Sequence, residues 1–403
     1  MNTGNDLEKS LQRRVKRHVK APGHTFFAVV QPGFEQTAAA ELKNLEIQEI
    51  LHLHQGGITF RGSIEDCYRL NICARTITRI LMRIDRFKSF HFNQLYRRTR
   101  EIPWELLLPP GCDPQFGISS SASRLYHTGR IEEEAFRAIS ERMSKVYGNW
   151  HPCDEKEIQP QTVYIRIEKN TCTLSLDSSG EPLYKRGYKD YVTEAPIRET
   201  TASALLYEAD IYNADVIIDP MCGSGTFSLE AGMILQHRIP GCSRKYPFYS
   251  WPVFSRASFD CIHRNEAEKT VNTSTRIICS DVNPKAVQVA ERNIQSAGLD
   301  DLVDISVHDF LQYPMKDAAG INALCMLNPP YGRRVAQDSN IYAIYEKLGM
   351  VFREWYPEWG YMILFPDEKC IRAAKLPFTK KITFPHGGIQ VTALFHPAGV
   401  REG

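Results

Sequence analysis

The four residues Asn328-Pro329-Pro330-Tyr331, with Gly332 after them, are the stretch best equipped for chemistry on a planar, nitrogen-bearing group. They follow Ala323–Leu327, a short apolar run that reads as a buried strand. Two successive prolines stop the strand and hold the backbone in one shape. The Asn328 side-chain oxygen and the Pro329 carbonyl can then converge on one point. Two convergent acceptors suit an amine with two N–H donors, and Tyr331 offers a flat face for its ring. A base with an exocyclic NH2 group fits. The same four residues also describe an ordinary strand-ending turn, so the reading depends on their company.

That company is a series of acids at strand ends. The strand Asp215–Ile218 runs into Asp219-Pro220-Met221-Cys222-Gly223-Ser224-Gly225-Thr226 and then a helix, Phe227–Gln236. Gly223 and Gly225 let backbone approach a ligand closely. The third glycine of a dinucleotide loop is missing, since Leu229-Glu230 occupies its region. Asp219 would repel a pyrophosphate but suits the ammonium of a methionine moiety. The strand Arg276–Ser280 ends in Asp281, placed to accept from both hydroxyls of a ribose, and Asn283-Pro284 opens the helix Lys285–Ala297 as N-cap and first-turn proline. An insertion, His237–Val271, stretches the Gly225-to-Asp281 spacing well beyond the ~20 residues of a compact unit. A third strand, Asp304–Val307, ends at His308-Asp309, where a carboxylate can take a hydrogen bond from an adenine amine. Each acid alone is a common loop cap. In order, with Asn328 at the fourth tip, they predict a ligand at the carboxyl ends of an open α/β sheet.

The chain has 403 residues, room for two or three domains, with 43% apolar and 24% charged residues and a net charge of +2. Its eleven cysteines show neither CxxC pairs nor zinc spacing, and read as reduced thiols of a cytoplasmic protein. No apolar run approaches the ~18 residues of a membrane span. Residues 1–24 are polar and basic (Lys9, Arg13, Arg14, Lys16, Arg17, Lys20) and are broken by Pro22-Gly23, which predicts a flexible arm. Strands at Thr25–Val30, Gly57–Arg61 and Ile80–Asp85, with helices at Glu35–Leu45 and Ile64–Cys73, predict a ferredoxin-like module over 25–90. A second unit, 91–176, has a strand at Gln115–Ser119, a helix at Ile131–Tyr147 and a β-pair at Thr162–Lys169 and Thr171–Ser175. Between its first strand and helix, Arg124, His127 and Arg130 are candidate phosphate contacts. Lys185, Arg186, Tyr188 and Arg198 interleave cations and rings just downstream, as a nucleic-acid rim does.

Phe116–Gly129 (FGISSSASRLYHTG), with Gln94-Leu95-Tyr96 and Ile102-Pro103-Trp104-Glu105 before it, resembles a THUMP domain, an RNA-binding module of RNA-modifying enzymes. The second half, 177–403, resembles a class I, Rossmann-like methyltransferase domain dependent on S-adenosylmethionine. The resemblance implies that Asp219, Pro220, Cys222, Gly223, Ser224, Gly225, Thr226, Asp281, Asn283 and Asp309 bind that cofactor. Asn328, Pro329, Pro330 and Tyr331 are similar to the NPPY motif of enzymes that methylate exocyclic base amines. The Asp219–Ser224 loop, the insertion from Ile239 to Trp251 and Glu194–Glu199 look most like the RlmL N-terminal-half group, which methylates a guanine N2 in bacterial large-subunit rRNA. Pro385-His386-Gly387-Gly388 departs from the Asn-Gly ending of that group. The implied architecture is α/β throughout: ferredoxin-like and THUMP modules, then the methyltransferase domain. The implied partner is RNA, rRNA first and tRNA second. A base adduct on Cys222, a DNA adenine-N6 enzyme and a non-catalytic RNA-binding assembly protein are the other readings carried forward.

Overall fold

The computed structural model of the chain describes residues 3–21, 23–148, 150–152, 158–189, 197–315, 322–330 and 341–399. They form two compact units, each built on a seven-stranded sheet. One unit takes residues up to Val30, Leu42–Leu183 and Arg244–Asn265; the other takes Gln31–Glu41, Tyr184–Ser243 and the chain from Glu266.

In the first unit, the expected flexible arm is instead a helix, α1 (Thr3–Val15), continued by a π-helical turn at Lys16–Lys20. The cause is a spacing of four: Leu11, Val15 and Val19 share a face, and Val15 and Val19 are buried. Arg14 adds an ion pair of 2.7 Å to the buried Glu105, which Arg142 also contacts. Burial works against that carboxylate, but the Arg142 and Arg14 guanidiniums outweigh it and hold its pKa below the usual range.

After α1 come β1 (His24–Val30), α2 (Glu35–Asn44), β2 (Glu49–His54), β3 (Gly57–Gly62), α3 (Ile64–Cys73) and β4 (Ile77–Lys88). Then follow α4 (Phe92–Glu101), β5 (Pro114–Ser121), α5 (Thr128–Tyr147), β6 (Gln161–Glu168) and β7 (Thr171–Asp177). The strand order is β2-β3-β1-β4-β7-β6-β5. The long strand β4 pairs with β1 on one side and β7 on the other, so the stretches 25–90 and 91–176 share one continuous sheet. Residues 244–265, expected within the 177–403 domain, pack in this unit. Tyr68 of α3 lies 4.8 Å, ring to ring, from Phe248. The Tyr246 hydroxyl donates to the Asn71 carbonyl at 3.0 Å, and the Trp251 indole to Gln161 Oε1 at 2.9 Å.

The second unit contains α6 (Glu199–Glu208), β8 (Val216–Asp219), α7 (Thr226–Leu235), β9 (Arg276–Asp281), α8 (Pro284–Ser296), β10 (Val303–Val307) and β11 (Ala323–Leu327). It closes with α9 (Ile341–Trp355), β12 (Gly360–Phe365), α10 (Glu368–Ala374), β13 (Lys380–His386) and β14 (Ile389–His396). Its order is β10-β9-β8-β11-β12-β14-β13, parallel from β10 to β12, with β14 antiparallel to both of its neighbours. Strands β11 and β12 are buried at every position, which is why they read as unbroken apolar runs rather than alternations. Tyr345, Leu348 and Phe352 of α9 belong to the core cluster that covers them. Residues 31–41, expected in the ferredoxin-like module, pack here: the Phe34 ring lies 5.1 Å from that of Phe384.

Candidate active site

Strand order reverses at β8: β9 and β10 lie on one side of it, β11 and β12 on the other. Ligands of open parallel sheets bind outside the strand ends at such a reversal. The tips of β10, β9, β8 and β11 carry Asp309, Asp281, Asp219 and Asn328 in that order. At a strand spacing of about 4.8 Å, the four tips span roughly 14 Å.

The loop from Asp219 to Thr226 is held from three sides. Gly223 and Gly225 both lie in the left-handed region, at φ 55° and 79°. A Cβ at Gly225 would stand a tight 3.2 Å from that of Ala290 on α8, and the positive φ there disfavours a side chain in any case. Buried Asn293 donates to the Ser224 carbonyl at 3.1 Å. Asp281 fixes the opposite edge: its carboxylate accepts the Gly223 N–H at 3.0 Å and the Asn283 N–H at 2.9 Å. Asn283 in turn caps α8 by accepting the Lys285 N–H at 3.0 Å. The result is a preformed cradle of backbone, and the buried hydroxyls of Ser224 and Ser280 have no hydrogen-bond partner among the described residues.

Asp219 is 1% exposed and accepts from Ser228 Oγ at 3.0 Å. Burial, only partly offset by Ser228, raises its pKa to about 7. Asp309 uses both oxygens on its own turn, accepting the Leu311 N–H at 3.0 Å and the Gln312 amide at 2.6 Å; a ligand amine would share those oxygens. Cys222 is buried. A hydrogen bond with Cys279, and then burial, push its thiol far up, so it stays protonated and the adduct chemistry loses its nucleophile.

Asn328 follows β11 directly. Its Oδ1 is buried with no hydrogen-bond partner among the described residues, and Pro329 beside it is buried. A buried acceptor without a partner calls for an explanation, and its place at the strand tip makes Oδ1 a candidate acceptor for a ligand donor. Tyr331 lies outside the described residues.

The family model for the RMKL-like methyltransferase domain matches residues 186–392, and that for the RlmL ferredoxin-like domain matches 25–81. The chain belongs to the RMKL-like methyltransferase family. It is 30% identical over 372 residues to YpsC of Bacillus subtilis, named as a candidate RNA methyltransferase, covering 91% of this chain and 94% of that one. It is 27% identical over 376 residues to the ribosomal RNA large subunit methyltransferase K/L of Psychromonas ingrahamii, covering 91% of this chain and 49% of that one. The chain thus spans about half the length of the K/L enzyme. Among solved structures, SMU.472, a candidate methyltransferase complexed with SAH, superposes with a TM-score of 0.85 at 27% identity, covering 94% of this chain and 99% of that one.

In this methyltransferase, the candidate nucleic-acid contacts divide into two kinds. Arg124, His127 and Arg130 are exposed, together with Tyr126. The serines before them hold the loop itself: Ser120 Oγ donates to the Leu125 carbonyl at 2.5 Å and Ser123 Oγ to the Ser121 carbonyl at 2.8 Å. Rings steady the cations, with Arg124 5.6 Å from the centre of Phe90 and Arg130 4.3 Å from that of Phe92. Lys185 is exposed, and exposed Arg198 lies 5.1 Å from the Tyr184 ring.

Arg186 and Tyr188 do not fit the rim expected of them. The Arg186 side chain is 1% exposed and paired with Glu230 of α7 at 3.4 Å. The Tyr188 and Ser203 hydroxyls donate to the same carboxylate. Burial opposes the Arg186 charge, but Glu230 outweighs it and raises its pKa. Lys189 continues the network, donating to Thr226 Oγ1 at 2.7 Å and pairing with Glu199 at 3.0 Å. The 184–189 segment is therefore strapped onto α6 and α7, next to the Asp219–Thr226 loop. Sequence reasoning missed Glu230 and Lys189. The available signal was Glu230 itself, the one charge in an otherwise apolar helix, TFSLEAGMIL.

Proposed function

We propose that this methyltransferase uses S-adenosylmethionine to methylate the exocyclic N2 amine of a guanine in RNA, with large-subunit ribosomal RNA as the substrate. The name of the K/L relative supports the RNA class, and the THUMP-like stretch around Phe116–Gly129 supports an RNA-binding role for the first unit. SAH, complexed with SMU.472, is the demethylated form of the cofactor. The single observation carrying the amine chemistry is the buried Oδ1 of Asn328 at the strand tip, without a hydrogen-bond partner among the described residues. The ten described cysteines are all free thiols, which suits a cytoplasmic enzyme.

The residues fit the cofactor: the Gly223–Gly225 cradle admits its backbone-hugging part, Asp219 suits its ammonium, Asp281 its ribose and Asp309 its base. When bound, it supplies an electrophilic methyl group on a sulfonium. Asn328 Oδ1 and the Pro329 carbonyl accept the two N–H bonds of the guanine amine. They orient the nitrogen lone pair and stabilise the positive charge that develops there. Tyr331 stacks on the base once it leaves its helix. Orientation is the larger effect, since alignment of reacting groups supplies ~7–11 kcal/mol in favourable cases. The methylated nitrogen is acidic and gives its proton to water, so no strong base is needed.

The test is direct. The protein is incubated with labelled cofactor and undermodified rRNA, tRNA and DNA, and each product is digested to nucleosides. Label in N2-methylguanosine from rRNA is the expected result. Label from tRNA alone moves the substrate, N6-methyladenine overturns the amine assignment, and no label despite cofactor binding favours the assembly protein.

A further inference from the structure

The sheet of the first unit carries a concave strip of about 750 Å³ whose lining comes from β1, β2, β3, β4, β6 and β7 and the turns beside them. None of the residues nominated from the sequence as nucleic-acid contacts lines it. Arg83, Arg86, Lys88, Arg166 and Lys169 face it, with Asp85 and Glu168 the carboxylates in the lining. Asp85 is already paired with Arg98 at 2.9 Å, and Glu168 with Arg166 at 3.0 Å. The floor is aromatic and hydroxylic. Arg83 lies 4.3 Å from the centre of Phe27 and donates to Ser175 Oγ at 2.8 Å. At one end, the exposed imidazoles of His52 and His54 stand 5.9 Å apart.

The cations crowd one another. Burial first, then Arg166 and Arg86, pull the Arg83 pKa down to about 10. Burial, His52 and the surrounding arginines lower that of His54. Like charges held together on a grooved surface gain from a polyanion, which relieves the repulsion and releases its own counterions.

The far end of the strip joins the loop that displays Arg124. Lys88 Nζ donates to the Lys169 carbonyl at 3.2 Å, and the neighbouring Asn170 accepts the Arg124 N–H at 2.8 Å. A path of positive charge therefore runs from Arg83 and Arg86, over the strands, to Arg124 and Arg130. A concavity of this volume is of small-ligand size. It has room for successive nucleotides of one strand, and the exposed His52 and His54 rings offer faces to unstacked bases.

We propose that this strand face is a second RNA site that grips an unpaired segment of the substrate by its phosphates and feeds it toward the Arg124 loop. The proposal rests on the RNA reading above. The side chains of Arg86, Lys88 and Arg166 are exposed, so replacing them leaves the sheet intact. The full chain and its R86Q/K88Q/R166Q variant are titrated with a fluorescent single-stranded oligouridylate and with a duplex of the same length, over a range of salt. The variant is expected to bind the single strand at least tenfold more weakly, with a salt slope shallower by about two, since each lost single-strand phosphate contact removes ~0.7. Its thermal transition and its affinity for S-adenosylhomocysteine should match the parent's. Parent-like affinity and slope in the variant overturn the groove, as does equal loss on the duplex. If the parent binds neither RNA, the RNA reading falls and the groove with it.

Discussion

The amide oxygen of Asn328 sits buried at the end of β11 without a donor among the described residues, and a buried acceptor left this way costs about 1–3 kcal/mol. A substrate amine removes that penalty only where the donor is placed for transfer. Asn328→Ala is therefore expected to lower kcat by ~10²–10³ while leaving the cofactor Kd unchanged. Single-turnover methylation alongside calorimetric titration of the cofactor checks it, and a kcat within threefold of the parent's sinks the role. Asp219 gives a pH dependence. Its folded pKa of about 7 exceeds the unfolded value of 3.8, so between those values the folded chain holds a proton that the unfolded chain has released. Stability contributed by Asp219 thus declines as pH rises across that window. On the proposed contact between Asp219 and the cofactor's ammonium, binding runs the other way, because that contact favours the carboxylate. Affinity should weaken as pH falls below about 7, by up to about tenfold per pH unit, and Asp219→Asn should flatten the profile. The strand-end positions of both residues were legible in the sequence because a short apolar run stopped by a proline announces them. Arg186 was not: its neighbours Tyr184, Lys185 and Tyr188 look alike in one dimension, and only the carboxylate 44 residues on separates the buried cation from the exposed one.

Helix α7 is buried along its whole length, yet it carries Glu230 at 0% exposure. The carboxylate collects Arg186, Tyr188 and Ser203 and so ties the 184–189 strap to α6 and α7. Removing one partner of a buried ion pair leaves the other charged and dry, which costs about 3–5 kcal/mol, whereas apolar replacement of both is far milder. Glu230→Gln is expected to lower urea stability by about that amount, and R186M/E230L to recover most of it. Equal loss in single and double variants would show that the strap is held by packing alone. Elements with a strong period were read to within a few residues: α3 and β11 have the expected bounds, and α5 starts three residues early. Strand β2 was missed although Leu51 and Leu53 alternate with His52 and His54, because the alternation is only four residues long and no residue of the strand is fully buried. Helix α1 was missed because its stripe is only one residue wide amid basic neighbours, and its stability comes from burying Val15 and Val19 and from Glu105, some 90 residues away.

Sequence order and three-dimensional membership part company over the whole molecule, and no local pattern reports this. The domain boundary expected near 176 follows a change of motif, whereas compactness assigns 31–41 to the second unit and 244–265 to the first. The 244–265 segment is rich in aromatics because it completes a core rather than filling a surface loop. Tyr246, Phe248, Trp251 and Phe259 are buried, and Tyr68 lies within ring-contact distance of Phe248, Phe254 and Phe259. Gln161 of β6 receives the Trp251 indole N–H and itself donates to the Pro247 carbonyl at 3.0 Å. A fragment ending at Leu183 loses these rings and exposes Tyr68 and the polar groups of Asn71 and Gln161. Such a fragment, although it contains every strand of its sheet, is expected to lack a cooperative thermal transition, while the same fragment joined by a flexible linker to 244–265 should regain one. In the full chain Phe248→Ala should cost about 3–5 kcal/mol, the range for emptying a buried aromatic site. Differential scanning calorimetry of the two fragments decides the matter: a sharp transition in the shorter one would mean that the aromatic segment caps a core already complete without it.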